Sequence, residues 1–107
     1  MDMSEGPKTW TVGIVGRAIK QKSKLPLAIV EALEALFLDL RDNGPQRANW
    51  PNFGRLHRKK SEEYYHCHLN RGKPRYVAVW RVTDRAIKLM EIRYVGTHEG
   101  ADYQRID

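Results

Sequence analysis

A single cysteine, Cys67, stands among 107 residues, so no disulfide can close within the chain and a reducing cytoplasm is the expected setting. No apolar run approaches the roughly 20 residues that span a bilayer, because Glu31, Glu34 and Asp39 interrupt the richest stretch. Met1 to Lys8 carries Asp2 and Glu5 and no apolar run, which argues against a secretory signal and suits a flexible tail. A Walker loop, a Gly-rich dinucleotide turn, a Gly-x-Ser-x-Gly elbow and a Cys-x-x-Cys pair are all missing, which removes most rival enzyme classes. There is no internal repeat, low-complexity tract or linker. A chain this short cannot bury two cores, so one domain over residues 1–107 is expected.

What the sequence does have is positive charge, unevenly spread. Its net charge is +6, and the segment from Gly44 to Arg81 alone carries +7. Arg47, Arg55, Arg58, Lys59, Lys60, Arg71, Lys73, Arg75 and Arg81 lie there against Glu62 and Glu63, while the remainder sums to −1. Dispersed charge serves solubility, but concentrated charge makes a local field that attracts a polyanion. A solvated, lysine-rich loop is the plainer alternative.

Trp10 to Val15 is short, β-branched and aromatic, and reads as a first strand weakened by Gly13. Arg17 to Lys24 suits a short helix. From Pro26, Ile29, Leu33, Leu36 and Leu40 recur at helical spacing, with Val30 and Phe37 widening the stripe, until Asn43-Gly44-Pro45 ends the helix. Residues 46–61 read as a polar connection. Three strands are then expected, over Tyr64 to Leu69, Arg75 to Val82 and Ile87 to Val95, with turns at Asn70 to Pro74 and Thr83 to Arg85. The tail from Gly96 reads as a loop. Two hairpins after a long helix give an α+β fold, an antiparallel β-sheet meander packed against N-terminal helices.

On the Tyr64 to Leu69 strand, period-two alternation puts Tyr65, Cys67 and Leu69 on one face and Tyr64, His66 and His68 on the other. Imidazoles on an open face suit acid–base work near neutral pH. Two other readings stand beside it. His-x-His is a familiar zinc spacing, although Cys67 points away and a third ligand would have to come from His57, His98 or a carboxylate. Two solvated histidines on a polar strand face are the simpler case. His98 follows the last strand, Arg81 and Arg93 alternate outward on neighbouring strands, and Tyr103 lies within reach of folding back over His98. Such a set suffices for RNA cleavage by the substrate's own 2′-hydroxyl, which needs no metal: a base, cations on the phosphate and an acid for the departing 5′ oxygen. Tyr64, Tyr103 or Trp50 could stack an unpaired base.

A long helix closed by a Gly/Pro break leads into Phe53-Gly54-Arg55-Leu56, Tyr65-His66-Cys67-His68-Leu69 and Tyr76-Val77-Ala78-Val79-Trp80. Ile87 to Ile92 and Tyr94-Val95-Gly96-Thr97-His98-Glu99 complete the order. Over roughly residues 10 to 103 this order resembles the RelE/ParE toxin superfamily, especially its RelE and YafQ-like ribonuclease branches. The resemblance implies a toxin that cuts mRNA in the ribosomal A site and is silenced by a cognate antitoxin, with no cofactor and no membrane partner. It places His98 where the family has its C-terminal catalytic histidine or arginine, Tyr103 at the terminal aromatic, and His68 at the histidine preceding the Tyr-Val-Ala-Val-Trp segment. His57 matches a further histidine less closely, and Arg55, Lys59 and Lys60 sit where RelE-type members present cations to RNA. The turn at Asn70 to Pro74 is longer than in YafQ-like toxins, so the acid those members carry there has no clear counterpart.

The expected catalytic set is therefore His98, His68, Arg81, Arg93 and Tyr103. Arg55, His57, Arg58, Lys59, Lys60, Tyr64, His66, Arg71 and Lys73 are the expected RNA contacts. The rival expectation is a non-catalytic binding module on the same scaffold, either a ParE-like topoisomerase inhibitor or an inactive antitoxin-binding protein. ParE-type members generally lack this histidine set.

Overall fold

The computed structural model describes residues 8–59, 61–103 and 105–106. Its elements follow as β1 (Thr11–Ile14), α1 (Gly16–Lys22), α2 (Leu27–Asn43), β2 (Gly54–Arg55), β3 (Glu63–His68), β4 (Tyr76–Asp84) and β5 (Leu89–Thr97). Pro26 caps α2, where its missing donor costs nothing. Ile29, Leu33, Leu36 and Leu40 are the buried residues of α2, the stripe that the periodicity predicts. Gly44 ends the helix at φ 93°, its N–H donating to the Leu40 carbonyl at 2.9 Å. A side chain there would be strained and would also meet the Trp10 indole nitrogen at 3.2 Å.

The sheet runs β1-β5-β4-β3-β2. β2 to β5 form the expected antiparallel meander, but β1 adds to β5 in parallel, Thr11 opposite Leu89 and Ile14 opposite Ile92. The sheet is thus mixed. The two helices supply the crossover that a parallel pair requires, and only the three-dimensional return of β5 to β1 reveals the pairing. Four boundaries also differ from expectation. β2 lies inside the supposed connection, where Gly54 and Arg55 pair with His66 and Tyr65. β4 extends through Asp84, two residues into the supposed turn. Ile87 belongs to the turn before β5, where the Asp84 carboxylate accepts from the Ala86 and Ile87 N–H groups at 3.0 and 3.2 Å. Gly96 and Thr97 stay in the sheet, opposite Val77 and Tyr76, because backbone pairing outweighs their low strand preference.

The helices cover one face. Tyr65, Cys67, Ala78, Trp80, Met90, Ile92 and Val95 pack there against the α2 stripe. Phe53 stacks between Tyr65 and Trp80 with ring centroids 5.6 and 6.1 Å away, and the buried Trp80 N–H donates to the Pro45 carbonyl at 3.0 Å. The opposite face is not left bare. A second apolar cluster of Tyr64, Val79 and Ile106, joined by Leu56, Tyr94 and Tyr103, forms where the C-terminal segment crosses the sheet. That crossing explains why Val77 to Trp80 are buried on both faces of β4. Among the described residues no helix is long and apolar enough to cross a membrane.

Candidate functional site

The second face of β3 presents Tyr64, His66 and His68 in turn. The β5 strand ends at Thr97, one residue beyond Gly96, and the His98 N–H donates to the Arg75 carbonyl at 2.8 Å. This bond brings the C-terminal turn beside the hairpin between β3 and β4. The His68 and His98 ring centroids then lie 5.5 Å apart, edge to face. Tyr103 closes the group, its ring 6.3 Å from His98 and 5.7 Å from His66.

Three details hold this arrangement. The His68 N–H donates to the Pro51 carbonyl at 2.7 Å, tying the end of β3 to the segment before β2. Asn70 braces the hairpin: its amide donates to the Pro74 carbonyl at 3.1 Å and its oxygen accepts from the Tyr76 N–H at 2.9 Å. The Tyr94 hydroxyl donates to the Thr97 carbonyl at 2.9 Å and fixes the turn that carries His98. That last contact needs a glycine at 96, since a Cβ there would sit 2.6 Å from the Tyr94 hydroxyl.

His68 is only 7% exposed. Burial lowers its pKa below the usual 6.5, and the nearby His98 and Arg75 push the same way by disfavouring a second positive charge. Burial likewise lowers the pKa of His66, with His68 and His98 adding to it. Both imidazoles are therefore neutral at pH 7 and able to take a proton. The Tyr103 phenol is shifted up by burial and by Tyr94, so it remains protonated. Beside His68 opens a cavity of about 430 Å³ lined by Pro51, Asn52, Asn70, Arg71 and Arg75. Its cations come from the hairpin. Among the described residues no group of three or more His, Cys, Asp or Glu side chains is arranged to hold a metal ion.

The structure distributes the sequence-predicted residues unevenly. His68, His98, Tyr103 and His66 converge, with Arg71 on the adjoining cavity and Lys73 exposed on the same hairpin. Arg81 does not join them. It pairs with Tyr64, four positions along β4 from the Val77 that faces His68, or roughly 13 Å at strand rise. Arg93 lines a separate cavity with Arg17, Gln21 and Arg105, and its guanidinium pairs with Glu91 at 3.0 Å. Tyr64 is fully buried and cannot stack a base, because the C-terminal segment covers it. Trp50 is likewise engaged, packing on the main core and donating to Asp39 at 2.8 Å. Arg55 pairs with Tyr65 and so lies on the helix-side face of the sheet edge, away from the histidines. Arg58 turns inward onto the C-terminal segment. His57 and Lys59 are exposed on the loop after β2, at the Tyr64 end of the sheet, and Lys60 lies outside the described residues. Arg75 is the residue that sequence reasoning missed. The sequence offers it as charge and as the first residue of the strand Arg75 to Val82, and its place at the mouth of the Asn70 to Pro74 turn is the available signal.

No family model matches the chain, and no curated protein does. Solved structures do. One is the archaeal RelE–RelB complex from Pyrococcus horikoshii OT3, with a TM-score of 0.69 and 18% identity over 87% of this chain and 99% of that one. Another is a double-arginine mutant of the E. coli toxin RelE in the free state, with a TM-score of 0.65 and 20% identity over 87% of each chain. The likeness is one of fold: the chain has the fold of the RelE toxins.

Proposed function

We propose that this protein is the toxin of a toxin–antitoxin pair, a cytoplasmic endoribonuclease that cuts mRNA at the ribosome and is held silent by a cognate antitoxin. The observation that carries the nuclease reading is the meeting of His68 and His98, rings 5.5 Å apart, beside a cavity lined by Arg71 and Arg75. The fold, shared with RelE bound to RelB, supports the partner class.

In the proposed reaction the scissile phosphate lies in the cavity beside His68, within reach of both imidazoles. His68, neutral at pH 7, takes the 2′-hydroxyl proton. The 2′ oxygen attacks phosphorus and forms a 2′,3′-cyclic phosphate as the bond to the 5′ oxygen breaks. His98 gives that leaving oxygen its proton, so protons balance across the step. Arg75 and Arg71 face the non-bridging oxygens as charge builds. Tyr103, half-buried beside His66 and His98, offers a ring edge for an adjacent base. A binding module on the same scaffold would have no need for this convergence.

The test is induction in a bacterial host with primer extension on a translated message. His98→Ala and His68→Ala should each lower cleavage about 10²- to 10⁴-fold, the usual size of a general acid–base contribution. If His98→Ala stays as toxic as the parent and no cuts appear in either strain, the nuclease assignment is wrong.

A further inference from the structure

Arg58 belongs to the most basic stretch of the sequence, and charge alone assigns it to RNA. Its guanidinium instead lies against the chain's own C-terminal segment. One terminal nitrogen, Nη1, donates to the Tyr103 carbonyl at 3.1 Å and to the Ile106 carbonyl at 2.8 Å. The other, Nη2, pairs with Glu62 at 3.5 Å. Its plane sits 4.2 Å over the Tyr64 ring centroid. Both side chains of the Arg58–Glu62 pair are largely buried, at 12% and 17% exposure. A planar fork that stacks on an aromatic face while reaching two carbonyls is an arginine geometry which lysine, a point charge on a flexible stem, cannot copy.

The segment so held carries a site residue. Tyr103 is fixed by its backbone to Arg58 and presents its ring to His66 and His98. Ile106 seals the same face against Tyr64 and Val79. Within the segment, the Arg105 N–H donates to the Asp102 carbonyl at 3.0 Å, a bond local to it. Resting on the nuclease reading above, we propose that Arg58 is a positioning residue, a clasp that holds the C-terminal segment across the sheet so that Tyr103 covers His66 and stands against His98. It touches neither substrate nor reacting atoms.

Three consequences separate a clasp from an RNA contact. First, Arg58→Lys keeps the charge and loses the fork, so it should behave like Arg58→Ala. Each should lower the single-turnover cleavage rate at saturating RNA roughly tenfold to a hundredfold, the range expected when a catalytic group shifts by about an ångström. Second, the salt dependence of RNA affinity should stay as in the parent, whereas loss of a phosphate contact lowers the slope by about one. Third, His66 should become more exposed. The groups facing it are His68 on its own strand, Tyr94 across Val79 on β5, His98 on the C-terminal turn and Tyr103 on the clasped segment. Only Tyr103 is released, so the His66 midpoint should rise toward 6.5 as burial is relieved.

The experiment combines an imidazole NMR titration of the parent, Arg58→Ala and Arg58→Lys with the cleavage assay on a single-stranded RNA oligomer at several salt concentrations. A raised His66 midpoint in both variants, with the rate lost and the salt slope kept, is the expected result. Full rescue by lysine, or a slope reduced by about one, overturns the clasp and returns Arg58 to the RNA. If the alanine variant does not fold, the lysine variant decides. If the parent cuts RNA neither as the free oligomer nor as a message in translating ribosomes, the nuclease assignment fails, and an unchanged His66 midpoint then independently refutes the clasp while a raised one upholds its structural part.

Discussion

The turn that places His98 depends on a glycine, and Gly96→Ala puts a number on that dependence. Backbone conformation is not the obstacle, since Gly96 sits in β5 without a left-handed φ. The obstacle is space. A methyl group there would lie 2.6 Å from the Tyr94 hydroxyl and 3.0 Å from the ring carbon bearing it. The ring must swing away, which breaks its 2.9 Å hydrogen bond to the Thr97 carbonyl. That bond is worth about 0.5–1.5 kcal/mol. Displacing a half-buried aromatic from the Val79 and Tyr103 cluster adds about 1 kcal/mol. Replacing glycine restores about 0.4–1 kcal/mol through the unfolded chain. The net cost should be about 0.5–2 kcal/mol, a melting temperature lower by roughly 2–16 °C for a domain of this size. Cleavage should fall more than stability suggests, roughly tenfold or beyond, because the released turn carries His98. A double-mutant cycle with Tyr94→Phe, followed by thermal denaturation, isolates the steric cause. Phenylalanine lacks the atom that clashes first, so the methyl should cost less than half as much in that background. Additivity to within about 0.3 kcal/mol would show that Tyr94 is not what Gly96 accommodates.

Three further outcomes follow from buried titratable groups. His68 has a pKa lowered beneath 6.5 by burial, His98 and Arg75, and it must be neutral to accept a proton, so the acid limb of the single-turnover pH–rate profile should have its midpoint below 6.5. A midpoint above 6.5 would contradict His68 as the base. The same shifts at His66 and His68 make the unfolded chain bind more protons below 6.5. Folding stability should therefore be whole above pH 6.5 and decline as pH falls from there through the lowered native values, which urea melts at stepped pH would show. Cys67 is fully buried and its thiol is pushed up to about 12. An aromatic disulfide reagent at pH 8 should label it only at the rate of opening, and stoichiometric labelling of the native protein within seconds would place the thiol elsewhere.

Periodic features of the sequence translated well into structure. The α2 stripe, the Tyr65 and Cys67 alternation and the apolar Val77 to Trp80 run each report a local rule, that a helix or strand buries the face its apolar residues share. β2 escaped because two residues carry no period, and Gly54-Arg55 becomes a strand only through its partners on β3. The parallel β1–β5 pair escaped because sequence order says nothing of which edge the last strand will meet. Tyr64 shows the limit of alternation most clearly. It does point away from the helices with His66 and His68, but that face is roofed by Ile106, forty-two positions later, and so Tyr64 is buried where its neighbours were expected to be open.

Charge, the strongest compositional signal, was the least faithful guide to position. The excess in Gly44 to Arg81 is real, yet folding divides it into parts with different work. Arg47 pairs with Asp39 at 3.2 Å against α2, and Arg58 grips the C-terminal segment. Arg81 stays at the Tyr64 end of the sheet. What remains near His68 is the hairpin set of Arg71, Lys73 and Arg75, and of these Arg71 and Arg75 line the cavity. In the proposed reaction a phosphate in that cavity would meet those guanidinium groups first, and the His98 N–H is itself bonded to the Arg75 carbonyl. The hairpin and the C-terminal turn are thus one unit, in which the backbone bond that sets the imidazole pair also sets the distance to the nearest cation. The hairpin is where this chain concentrates charge beside its histidines, with Arg71 and Arg75 on the wall of the cavity next to His68.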